Sequence, residues 1–95
     1  MRILYSRHFI ADLDGIADYI RLDNPTRAIS FVEELRTVCR KIIAVHPRIG
    51  RQRPEIGTNR RSFQTHGRVI FYSYDPATQA LRFERILGRQ NPTLD

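Results

Sequence analysis

The chain has 95 residues, 41% of them hydrophobic and nine of them aromatic, which excludes a largely disordered polypeptide. A chain this long buries about 60–65% of its unfolded surface, enough for one domain, residues 1–95, with a core that needs no staple. Its formal charge is +6, carried by fifteen arginines and a single lysine, Lys41, so its cations suit forked binding of carboxylate or phosphate rather than proton transfer.

Arg2-Ile3-Leu4-Tyr5 reads as a short opening strand. Ser6 then caps a helix whose apolar positions Phe9, Leu13, Ile16, Ala17 and Ile20 fall on one face. Asp12, Asp14 and Asp18 are expected on its solvated side. Asp23-Asn24-Pro25 stops that helix and starts a second, with Asn24 as N-cap and Pro25 in the first helical position. The second apolar stripe runs Ala28, Phe31, Val32, Leu35, Val38, Cys39, Ile42, and the helix should reach His46, where Pro47 ends it. Two amphipathic helices joined this tightly predict an antiparallel hairpin that covers a sheet.

The next segment holds most of the charge. Between His46 and Arg68 stand Arg48, Arg51, Arg53, Arg60, Arg61 and Arg68 against one acid, Glu55. Such a block repels itself unless an anion answers it. Gly50, Pro54 and Gly57 mark its first part as a loop, and Arg60–Gln64 as a strand. His66-Gly67 predicts a turn, Val69–Tyr74 a central strand apolar on both sides, Asp75–Gln79 a hairpin loop, and Leu81–Leu87 a further strand. Gly88–Asp95 reads as a tail. The expected class is α+β: an N-terminal strand, then an antiparallel helical hairpin on a mostly antiparallel sheet completed by a C-terminal three-stranded meander.

Several tempting residues have plainer readings. Cys39 lies on the apolar stripe and is expected in the core; alone, it forms no internal disulfide. Tyr72 and Tyr74 share a strand face as half-buried sheet residues. His8 and His46 read as surface and helix-end residues. No metal-ligand spacing occurs, so no metal and no cofactor is expected. Met1–Leu4 is too short an apolar opening for a secretory signal, and no run reaches the roughly 20 residues of a membrane span. A cytoplasmic protein without membrane contact is expected.

Four places in this order resemble the ParE toxins of the RelE/ParE superfamily, the toxic partners in bacterial toxin–antitoxin pairs. They are Ala11–Ile20 (ADLDGIADYI); Asn24-Pro25 with Ala28; His46-Pro47-Arg48-Ile49-Gly50-Arg51 with Arg61-Ser62-Phe63; and Val69–Tyr74 followed by Arg85-Ile86-Leu87-Gly88-Arg89. Together they cover essentially the whole chain. Many relatives carry a histidine before the last glycine, where Leu87 here runs directly into Gly88. The resemblance implies the RelE/ParE-like fold and a toxin neutralised by a cognate antitoxin, ParD-like or other, in a hetero-oligomer. It implies DNA gyrase as the target of ParE-type members, and messenger RNA cleaved on the ribosome for RelE-type members. Arg85 and Arg89 fall where relatives contact their targets.

A ribonuclease needs a proton carrier beside its cations. Near the arginine block only Glu55 and His66 qualify, and they read more simply as a local counter-charge and a turn residue. The expected function is therefore gyrase inhibition by binding, with no catalytic residue. Its partner-binding set is Arg48, Arg51, Arg53, Arg60, Arg61, Arg68, Arg85 and Arg89. The alternatives are a RelE-type endoribonuclease and a non-toxic nucleic-acid-binding domain, direct nucleic-acid contact being secondary.

Overall fold

The computed structural model describes residues 1–88. The elements are β1 (Arg2–Tyr5), α1 (Arg7–Arg21), α2 (Pro25–Val38) with a π-helical turn at Cys39–Ile43, β2 (Arg51–Gln52), β3 (Arg60–Thr65), β4 (Arg68–Asp75) and β5 (Ala80–Gly88). The strands form one sheet in the order β1-β5-β4-β3-β2. β1 runs parallel to β5, and the remaining pairs are antiparallel. The α+β expectation and the helical hairpin on a sheet are what the chain forms.

Local chemistry sets the helix starts. Ser6 Oγ accepts from the Phe9 amide at 3.0 Å and donates to the Glu84 carbonyl at 2.8 Å, so the cap of α1 is also a tie to β5. Asn24 Oδ1 accepts from the Arg27 amide at 3.0 Å, with Pro25 just inside α2. Phe9, Leu13 and Ile16 of α1, with Leu35 and Val38 of α2, bury against Ile70, Tyr72, Leu81, Phe83 and Ile86. Phe83 sits amid aromatic neighbours, its ring centroid 5.2 Å from Tyr5, 5.6 Å from Phe9 and 6.1 Å from Tyr72. Each such fully buried side chain contributes about 1.5–3 kcal/mol of transfer free energy.

Three expectations change. The arginine-rich loop contains a further short strand, β2, whose two residues pair with Arg61 and Ser62. The second helix does not stay α-helical to His46: Ala44 N–H bonds to the Cys39 carbonyl five residues back, at 2.9 Å. That wider turn shifts the apolar stripe by one residue. Ile43 is fully buried and Ile42 is 36% exposed, the reverse of the regular spacing. Tyr72 is not half-buried but completely so. Cys39 is in the core as expected, and burial pushes its thiol up to about 12, so it stays protonated and unreactive.

At the His66-Gly67 turn both residues have positive φ, 54° and 71°, the geometry of a two-residue hairpin loop, and glycine takes one of these positions without strain. Among the described residues no helix is long and apolar enough to cross a membrane.

Candidate functional site

Strand alternation sorts the arginines onto two faces. Tyr72 and Phe83 face the helices, so their neighbours in sequence face away. The uncovered face thus carries Arg60 and Ser62 of β3, Phe71 and Ser73 of β4, and Arg82 and Glu84 of β5. Arg51 is paired with Ser62 and Arg2 with Ala80, which adds both to this face. Arg53 joins them through its own contacts. Its Nε donates to Ser62 Oγ at 2.9 Å, its Nη1 meets Glu55 at 3.0 Å, and its guanidinium lies 5.6 Å from the Phe71 ring centroid. It therefore covers an apolar side chain that no helix protects.

Glu84 is the acid of this face that pairs with a strand arginine. A β-bulge between Phe71 and Tyr72 sets Tyr72 opposite Phe83 and Phe71 opposite Arg85, leaving Glu84 as the extra residue. Its carboxylate meets Arg60 Nη1 at 2.7 Å. Burial raises its pKa, and the charges of Arg60 and Arg82 offset this only in part. The ionised form is thus disfavoured although a salt bridge is present. Because the folded pKa is raised, this group opposes stability above its folded pKa, and that penalty is relieved as pH falls through it.

The other arginines of the block have different surroundings. Arg61 faces the helical side, and its Nη1 donates to the carbonyls of Arg48 (3.1 Å) and Gly50 (2.8 Å). Tyr72 Oη accepts from the Gly50 amide and donates to the Pro47 carbonyl, both at 2.8 Å. Burial raises the Tyr72 pKa, which keeps that donated proton in place. These two side chains pin residues 47–50 to the sheet. Arg48 lies over Tyr74 at 5.7 Å and shares with Gln52, Arg60 and Arg61 a cleft of about 470 Å³. Arg68 lies 6.0 Å from the Phe31 ring centroid.

Arg85 is held by Asp12. Its Nε and Nη2 donate to the two carboxylate oxygens at 2.8 and 3.1 Å, and the Ile86 amide adds a third bond to Asp12 at 2.9 Å. The hydrogen bond to Asp12 raises the Arg85 pKa further, overriding desolvation. Asp12 is therefore not a solvated residue of α1 but its anchor to β5, while Asp14 and Asp18 are exposed. Arg89 lies outside the described residues.

So the fold gathers Arg51, Arg53 and Arg60 from the block on one face, turns Arg61 to the other, brings Arg48, Arg60 and Arg61 together around one cleft, and holds Arg68 and Arg85 elsewhere. It adds three residues that the charge run did not reveal: Arg2, Arg82 and Glu84. The alternation of Leu81-Arg82-Phe83-Glu84 was the available signal, because it sets both charged residues on the face opposite the core. Glu55 is the counter-charge of Arg53, as expected. His66 occupies its turn, its ring 5.8 Å from Phe31 and its Nε2 3.2 Å from Glu34.

No curated protein sequence matches the chain. Among solved structures it is similar to the toxin–antitoxin complex RelBE2 from Mycobacterium tuberculosis, with a TM-score of 0.69 at 16% identity over 93% of this chain and 96% of that one. It is also similar to a chromosomal ParDE toxin–antitoxin system from P. aeruginosa, with a TM-score of 0.65 at 19% identity over 93% and 95%. At those identities the likeness establishes a common fold. The family model described as the ParE toxin of the type II toxin–antitoxin system parDE matches residues 3–92. With nearly the whole sequence covered by that match, the chain belongs to the ParE family of type II toxins.

Proposed function

We propose that this chain inhibits DNA gyrase by binding, without making or breaking a covalent bond, and that a cognate antitoxin of ParD or another type neutralises it in the cytoplasm. One observation supports the non-catalytic reading most. The uncovered sheet face is rich in arginine, and its acids are already engaged: Glu84 by Arg60, Glu55 by Arg53 and Asp75 by the Ala77 amide; none of the three histidines is among its strand residues. Arginine holds its proton at any useful pH, so such a face recognises anions without shuttling protons. Arg51 and Arg82, like Arg2, are exposed cations of this face without an acidic partner among the described residues. Changing both to Gln should leave the thermal midpoint within about 3 °C and weaken target binding by tenfold or more. Unchanged affinity in a titration against purified gyrase would remove this face from recognition.

Ribosome-dependent cleavage of messenger RNA is the second reading, and Glu84 favours it. A carboxyl whose pKa is raised by burial, set between Arg60 and Arg82, has the makings of a proton carrier beside phosphate clamps. Glu84→Gln separates the two. For a binder, removing this negative charge leaves gyrase inhibition intact and strengthens retention on a polyanion column. For a nuclease, message cleavage falls by about 10²–10⁴-fold. The decisive pair of assays is gyrase supercoiling and a translating ribosome extract, run with the same protein. Cleaved message with normal supercoiling would overturn the gyrase proposal. A plain nucleic-acid binder would instead show strong, salt-steep shifts of random duplex DNA.

A further inference from the structure

The cleft shared by Arg48, Arg60 and Arg61 lies at one end of the sheet, where β3 begins and β4 ends. Its walls are fixed by main-chain bonds. The Arg53 amide donates to the Arg60 carbonyl at 2.8 Å and the Tyr74 amide to the Asn59 carbonyl at 3.0 Å, which closes the 53–60 loop and ties its end to β4. Arg61 Nη1 in turn holds the carbonyls of Arg48 and Gly50. One guanidinium is thereby fastened to the backbone of a second arginine. Charges of one sign set so close repel, yet no carboxylate or imidazole lines the cleft. Arg48 and Arg61 make no ion pair with any described residue, and Arg60 alone shares an acid, Glu84.

The donors left over suit phosphate. Beyond those two carbonyls, no hydrogen bond among the described residues uses the guanidinium of Arg61 or of Arg48. The same cleft carries three rings, those of Pro54, Tyr74 and Pro76. Forked cations beside flat rings match the two halves of a nucleotide, a phosphate chain and a base. A volume of about 470 Å³ is ordinary for a small-molecule site and larger than a lone phosphate fills. We infer that this cleft binds a nucleoside di- or triphosphate. Arg48 and Arg61 fork its phosphates, with Arg60 beside them. The contact of an exposed arginine with an aromatic ring is weak, so Arg48 leaves Tyr74 for phosphate and opens the ring face to the base. The nucleotide is a ligand and is not consumed, because no carboxylate or imidazole is there to move a proton. The inference stands apart from the gyrase reading, whose cations Arg51 and Arg82 do not line the cleft.

The test is titration of ATP into the isotope-labelled chain, followed by calorimetry and by amide shifts in NMR spectra. ATP should bind with a Kd of about 10–100 μM, and at saturation raise the thermal midpoint by about 3 °C or more. The shifts should centre on the amides of Arg48, Arg61 and Tyr74. Inorganic triphosphate should bind about tenfold more weakly, for want of a base. Arg48→Gln should weaken ATP about tenfold and leave the midpoint of the free chain in place, because its side chain is exposed and unpaired. Arg40→Gln, in the exposed part of the π-helical turn, removes the same charge away from the cleft and should leave the Kd within about twofold. Equal weakening by both variants, or shifts confined to Arg51, Arg53 and Arg82, would mean general attraction of a polyanion and overturns the site. Triphosphate bound as tightly as ATP overturns the nucleotide as its ligand. Absence of binding at about 1 mM ATP overturns the inference outright, and leaves the gyrase reading to its own assay.

Discussion

Replacing Asp12 with alanine should destabilise the free chain by about 2–3 kcal/mol, a fall of roughly 10–20 °C in thermal midpoint for a domain of this size. Three hydrogen bonds converge on that carboxylate: two from Arg85 and one from the Ile86 amide. Removing it strands a guanidinium that is 30% exposed and a backbone N–H that has no other partner in the sheet. Water reaches that guanidinium in part, which keeps the expected loss below that of a fully buried pair. Asp12→Asn retains an acceptor and should lose about half as much. Removal of Asp18 from its exposed pair with Arg21 should change the midpoint by little more than measurement error, because surface pairs contribute about 0–1 kcal/mol. Equal, small losses at Asp12 and Asp18 in thermal melts would show that the Asp12 bridge does not anchor α1 to β5.

Gly50→Ala is the second large effect expected, about 2–4 kcal/mol. A Cβ at this position would lie 2.5 Å from Tyr72 Oη and 2.9 Å from the Ser62 carbonyl oxygen. Neither can move aside: Tyr72 is wholly buried, and the second atom is backbone in β3. Tyr72→Phe tests the same junction from the other side. It leaves the Gly50 amide and Pro47 carbonyl without their partner, at a loss of about 1–3 kcal/mol. It also makes room where the new methyl would go. The double variant should therefore be less damaged than the two single losses added together. Strict additivity in denaturant melts would mean that the Tyr72 hydroxyl and Gly50 do not share one tight contact.

Much of this fold was legible because short-range rules govern it. Ser6 and Asn24 are caps in the sequence and caps in the structure. His66-Gly67 turns as its dipeptide requires, and Val69–Tyr74 is central because apolar residues occupy both of its faces. The misses share a cause: they depend on register between distant segments. A charge count along the chain groups Arg60 with Arg61, yet adjacent strand residues point to opposite faces. One meets Glu84 and the other two loop carbonyls. Asp12 reads as a surface acid until β5 brings Arg85 to it from 73 residues away. Ile42 and Ile43 exchange roles because one π turn adds a residue, which no apolar spacing announces. Glu84 lies outside the charge run, and its partner Arg60 reaches it from another strand, 24 residues away.

The pairing of β1 with β5 also governs timing. Arg2 lies opposite Ala80, so β1 has no native partner until β5 exists. Phe9 and Tyr5 likewise wait for Phe83 before their aromatic cluster can close. A contact pattern of such long sequence separation folds late and as a unit. A nascent or truncated chain ending before Ala80 cannot complete the sheet on which the helical hairpin rests. The finished sheet thus forms only once β5 has been made. Until then the growing chain exposes the apolar face of its helices and an unpaired β1.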